Sequence, residues 1–215
     1  MKKKIRLMGI AVGLLIASIV GGSIAFFSAD SDARNTISAG NLGVELQLDE
    51  GADTENIKNN NLVGTGAVPG SVFEYPIHAY NSGDYDSYIR ITLTRYWEDA
   101  NSKEKNFDAD ASKIELVNLK DNNDWIIDDQ DENKEVVYCY YKKPVSSGTA
   151  TSNVIDAIKI GSLTNKDQDL YTTLQVKVDV EVDAIQKVAA QDAILAEWGL
   201  DVEFDDNGNI ITVEE

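Results

Sequence analysis

From Leu174 to Val182 the chain alternates without a break: Leu174, Val176, Val178, Val180 and Val182 fall on one side, and Gln175, Lys177, Asp179 and Glu181 on the other. Strand side chains alternate between two faces, whereas a helix repeats about every 3.6 residues, so this run reads as a strand with one buried face. Such a strand needs paired neighbours for its backbone groups and a second layer to cover its valines. It is expected at the centre of a sandwich.

Other segments repeat the pattern. Leu42, Val44, Leu46 and Leu48 alternate with Gly43, Glu45 and Gln47, and Phe73, Tyr75, Ile77 and Ala79 share a face before the turn Asn81-Ser82-Gly83. Pro76 interrupts the second of these, and because proline donates no ladder hydrogen bond it predicts an edge strand or a bulge. A strand over Tyr88 to Trp97 follows with Ile89, Ile91 and Leu93 inward, then strands over Val136 to Tyr141 and Val154 to Ile160. Residues 49 to 61 read as a polar loop. Residues 98 to 135 read as acidic loops carrying the short strands Ile114-Glu115-Leu116 and Trp125-Ile126-Ile127. Asp183 as cap, Gln186 as its capping-box partner and Gly199 as stop predict a helix over 184–198, possible to break near Asp192. Asn207-Gly208 marks a closing hairpin between Val202-Glu203-Phe204 and Ile210 to Val213. The expected fold is all-β: a jelly-roll or Ig-like antiparallel β-sandwich over residues 42–215, with one late α-helix and an N-terminal signal helix.

The amino terminus carries an address. Lys2, Lys3, Lys4 and Arg6 precede an uncharged stretch from Leu7 to Val20, and Ser23 and Ala25 put small side chains where a signal peptidase reads them. Residues 1–25 are therefore expected to be a signal peptide, cut between Ala25 and Phe26. The competing reading is an uncleaved anchor, weakened by the glycines and serines at the end of the stretch. Losing the four cations of this segment leaves 15 Lys+Arg against 37 Asp+Glu, a net charge of −22 instead of −18. So acidic a surface repels nucleic acid and anionic lipid, and neither nucleic acid nor, after processing, a membrane is an expected partner. The single cysteine, Cys139, excludes an internal disulfide.

Catalytic signals are sparse. His78 is the only histidine, which excludes an HExxH zinc site, and Ser71, Ser82 and Ser87 stand in turn contexts with no G-x-S-x-G elbow. The reading is of a protein that is not an enzyme. No cofactor is expected except calcium, for which Asp121, Asp124, Asp128, Asp129 and Asp131 offer hard oxygen ligands but not the EF-hand spacing; solvated acidic loops are the competing explanation.

The stretch Gly22 to Leu42, with Phe26-Phe27, Asp30-Ser31-Asp32 and Asn35 through Ala39-Gly40-Asn41-Leu42, resembles the export signal and first strand of the TasA/camelysin family. Pro69-Gly70-Ser71, Asn81-Ser82-Gly83 and Tyr88-Ile89-Arg90 are similar to that family's next stretch. Trp125, Tyr140-Tyr141, Gly148 and Ala184-Ile185-Gln186 to Trp198-Gly199 look more like the clostridial alternate-signal exported proteins. The resemblance implies a Gram-positive protein processed by a SipW-type signal peptidase and released to the cell surface or biofilm matrix. There it would polymerise with itself or sibling subunits by donating an N-terminal strand from residues 26–41. Phe26, Phe27 and Ile37 are then the candidate assembly residues. The alternative is a monomeric secreted adhesion or binding module that uses the acidic loops. A camelysin-like protease is the remaining class, and the single histidine argues against it.

Overall fold

A computed structural model describes residues 29–30, 43–48, 57–58, 61–64, 68–119, 123–129, 134–164 and 168–214. The signal segment 1–25, with Ala25, and the assembly candidates Phe26, Phe27 and Ile37 lie outside the described residues, as do Asp121 and Asp131.

The described chain is an all-β sandwich. Numbering strands in chain order, the larger sheet runs Ile57–Lys58 (β3), Asn61–Gly64 (β4), Leu174–Gln186 (β12), Ser87–Asp99 (β6), Val136–Tyr141 (β10) and Trp125–Asp128 (β9). Ala29–Asp30 (β1) adds to β12, and Lys105–Asn106 (β7) to β6. The smaller sheet runs Val44–Leu48 (β2), Val72–Asn81 (β5), Ile155–Ile160 (β11) and Ile114–Val117 (β8). Every pairing is antiparallel. Between the sheets Val176, Val178, Val180 and Val182 meet Ile89, Ile91, Leu93, Tyr75 and Ile77, all buried. The alternation from Leu174 thus sets the core face, and β12 is a central strand as its pattern predicts.

Several expectations need correction. Within the stretch read as a loop over 49–61, β3 forms and β4 begins; β4 pairs with β12 through Val176↔Gly64 to Asp179↔Asn61. In the segment 98–135 the two expected short strands form, β8 ending the smaller sheet and β9 the larger, and β7 adds to β6 where only loop is expected. Of the two places expected for Pro76 the structure has the bulge: β11 shifts register between Ile155↔Ile77 and Ala157↔Glu74. Asp156 therefore stands opposite Tyr75 and Pro76 together, where a missing N–H costs the ladder nothing.

The late helix is shorter than its signals implied. Ala184, Ile185 and Gln186 continue β12, paired with Ile89, Tyr88 and Ser87, and the helix covers only Ala190–Trp198. Asp183 does not cap it, because its carboxylate accepts from Arg90; the chain instead enters through Ala189 at φ 57°, without a side-chain cap. Gly199, at φ 72°, does close it. A four-residue helix, Gln168–Tyr171 (α1), precedes it, so Ala190–Trp198 is α2.

Helix α2 and the hairpin of Asp201–Phe204 (β13) and Ile210–Glu214 (β14) form a second layer on the outer face of the larger sheet. They bury Tyr88, Tyr140 and Ile185 with Ile194, Leu200, Val202 and Ile210. Tyr88 Oη donates to Gly208 O at 2.5 Å, and Ile210 N donates to Lys142 O at 2.7 Å, fastening the predicted hairpin to the sheet. Its turn has Gly208 at φ 79°, a conformation that favours glycine.

Candidate functional site, the open edge of the long strand

Strand β12 pairs with β6 along its whole length, from Leu174↔Asp99 to Gln186↔Ser87. Its other edge carries two strands among the described residues. There β4 takes Val176 to Asp179, and β1 takes Asp183 and Ala184 through Asp30 and Ala29. Among the described residues, Val180 to Val182 and Ile185–Gln186 have no strand beside them on that edge. The edge of a long valine-rich strand templates the pairing of added strands. The two residues that meet this edge belong to the 26–41 segment.

Side chains on the outer face hold this region of β12 in place. Asp183 Oδ2 accepts from Arg90 Nη2 at 2.7 Å and Nε at 3.0 Å, while the guanidinium lies 5.0 Å from the Trp198 ring centroid and 5.6 Å from that of Tyr138. One arginine therefore links β12, β6, β10 and α2 by charge and stacking. Four register positions away, Tyr96 Oη donates to Asp179 Oδ2 at 3.2 Å, and Asp179 Oδ1 is buried with no hydrogen-bond partner. Burial, opposed by that hydrogen bond and by Lys177, holds the Asp179 carboxyl above its ordinary value. The same pair pushes the Tyr96 phenol up to about 12, burial again being the larger cause.

The other singled-out residues do not converge. His78 lies on β5 in the smaller sheet, opposite Gln47, whereas Cys139 points into the core from β10 of the larger one, with burial raising its thiol far above the ordinary range. Ser87 is buried and donates to Tyr85 O at 3.1 Å. Of the calcium candidates, Asp124 pairs with Lys143 at 3.3 Å, and the Asp129 carbonyl accepts from Lys134 at 3.3 Å. Among the described residues no three His, Cys, Asp or Glu side chains gather as a metal site.

The motif Asn81-Ser82-Gly83 builds a corner. Asn81 Nδ2 donates to Tyr85 O and Val145 O, both at 2.8 Å, while its Oδ1 accepts from Gly83 N at 3.0 Å. Gly43 packs so closely here that a Cβ would stand 2.5 Å from Ser82 Oγ. What sequence reading missed is the pairing of β4 with β12, because β4 is short and carries little alternation. Among the described residues, no helix is long and apolar enough to cross a membrane. Compared with known protein families, curated proteins and solved structures, the chain gave no match.

Proposed function

We propose that this chain is a secreted structural subunit of a cell surface or biofilm matrix, one that assembles by lending its N-terminal segment to the open edge of a neighbour's β12. Export follows from the Lys-rich start and the Ser23-Ile24-Ala25 triplet, with a SipW-type signal peptidase cutting before Phe26. The observation that supports strand donation most is the pairing of Ala29 and Asp30 with Ala184 and Asp183, which sets part of the 26–41 segment beside β12. A strand added at a sheet edge gains backbone hydrogen bonds without needing a preformed pocket.

The test removes the donor. Mature protein lacking residues 26–37 should remain a folded monomer, because its core begins at β2, and should neither form fibres nor join fibres of the intact chain. Free peptide of residues 26–37 should slow growth of intact fibres. Electron microscopy and light scattering decide it: fibres from the truncated form, or no assembly of the intact mature chain in low or physiological salt, would end the proposal.

A monomeric binding module is the second reading, supported by a groove of about 780 Å³ beside β8 and β10. Leu116, Leu119 and Val137 contribute apolar lining, and Arg95, Lys134, Glu115 and Asp129 contribute charge. Part of the acidic segment 98–135 lines it, as a recognition surface requires.

A further inference from the structure

At the end of the larger sheet far from α2, three side chains from separate parts of the chain stand in a row. Gln175 of β12 and Glu98 of β6 are direct cross-strand partners, and Gln175 Nε2 donates to Glu98 Oε1 at 2.5 Å. Both residues are buried, at 6% and 8% exposure. On the opposite side of the amide, Lys103 Nζ lies 3.4 Å from Gln175 Oε1. The lysine is held there by its turn. Asp99 Oδ1 accepts from Asn101 N and Ser102 N at 2.9 Å each, Lys103 N donates to Asp99 O at 3.0 Å, and Lys103 adopts φ 63°. Ala100 N donates to Thr173 O at 2.9 Å, fixing the turn to the start of β12.

An amine, a carboxamide and a carboxylate in this order are the parts of an intramolecular amide exchange. We infer that Lys103 and Gln175 form a side-chain isopeptide bond assisted by Glu98. Lys103 Nζ attacks Cδ of Gln175, and the bond from Cδ to Nε2 breaks. The attacking nitrogen of the exposed Lys103 gives up its proton to solvent, Glu98, in contact with the departing nitrogen, delivers a proton to it and is reprotonated from solvent, and ammonia leaves. One amide replaces another with no net oxidation, so the reaction needs no co-reactant. Fixed placement of the reacting groups supplies what free lysine and glutamine in water lack. The product joins positions 72 residues apart, linking the β6–β7 turn to β12 in a chain whose single cysteine allows no internal disulfide. An ammonium cannot attack, so the bond forms faster as pH rises.

Intact-mass measurement of the purified mature protein tests this directly. The expected product is one ammonia lighter than the sequence mass, in a fraction that grows on incubation at alkaline pH. Trypsin should leave Lys103 uncut and release a branched peptide containing Gln175. Lys103→Arg, at an exposed position where folding is not at risk, should keep the full mass, and Glu98→Gln should slow bond formation at least tenfold. Full mass in the wild-type protein after prolonged alkaline incubation, or a loss of ammonia that persists in Lys103→Arg, overturns the assignment. An undiminished rate in Glu98→Gln removes Glu98 from it.

Discussion

The two faces of the larger sheet are built on different physics. Its inner face is apolar along most of the length of β12 and packs on one other sheet, so each buried valine is supported by a continuous core. Its outer face is divided. Near Ser87 it is covered by α2 and the β13–β14 hairpin, whose apolar residues bury Tyr88, Tyr140 and Ile185. Toward Asp99 it carries paired polar groups instead: Glu98 with Gln175, and Tyr96 with Asp179. Burial thus rests on a shared core, on a separate small one, and on hydrogen bonds, and these should fail in different ways.

The largest contrast lies across a single peptide bond of β12. Val178→Asp puts a charge among fully buried apolar side chains and is expected to cost several kcal/mol, a large part of an ordinary domain's stability. Lys177→Ala, on the outer face, should change stability by about 0.5 kcal/mol or less. Similar denaturation midpoints for the two variants would show that the faces are not distinct.

A second contrast sets the two cores against each other using one residue type. Ile91 and Ile194 are both fully buried, the first between the sheets and the second under α2. Ile91→Ala should lower global stability by about 2–5 kcal/mol. Ile194→Ala should instead loosen the annex alone, raising hydrogen exchange over 187–214 while the sandwich strands keep their protection. Exchange that rises equally throughout both variants would make the annex part of one cooperative unit.

The smallest effects are those of pH, and their signs differ. Burial raises the Asp179 carboxyl, so its charged form costs stability at neutral pH, a cost absent once pH falls below the unfolded value of about 3.9. Asp179→Asn should therefore raise the melting temperature at neutral pH and lose that advantage in acid. Asp205, in the hairpin turn, behaves oppositely. The N–H of Asn209, then its side chain, hold the carboxyl below the ordinary range, so its contribution is present above about 3.9 and lost as pH falls through its lowered value. Asp205→Ala should lower the melting temperature at neutral pH by an amount that shrinks in acid; matching signs for both variants would contradict this account.

Much of the inner face is legible in the sequence. Leu174 to Val182, Phe73 to Ala79 and Ile89 to Leu93 each keep their predicted inward residues, and the Asn207-Gly208 hairpin forms where expected. The helix start was misread because Asp183 and Gln186 fit a capping box equally well whether or not Ala184 to Gln186 stay in a strand. What decides between them is the pairing of those residues with Ser87 to Ile89, nearly 100 residues away in the chain, about which a local cap signal carries nothing. The candidate site was half legible: the resemblance singles out the N-terminal segment, but no pattern marks the edge it meets.

The sequence by itself determined which side of each long strand is apolar, since that depends only on residues two apart. Tertiary structure alone decided which edges are paired, by β4 and β1 on β12, and which outer-face residues are buried, by α2 and the closing hairpin. It alone brought Lys103, Gln175 and Glu98 into one row. These depend on backbone hydrogen bonds and packing between distant segments, and backbone groups are the same in every residue, so no side-chain pattern records their partners.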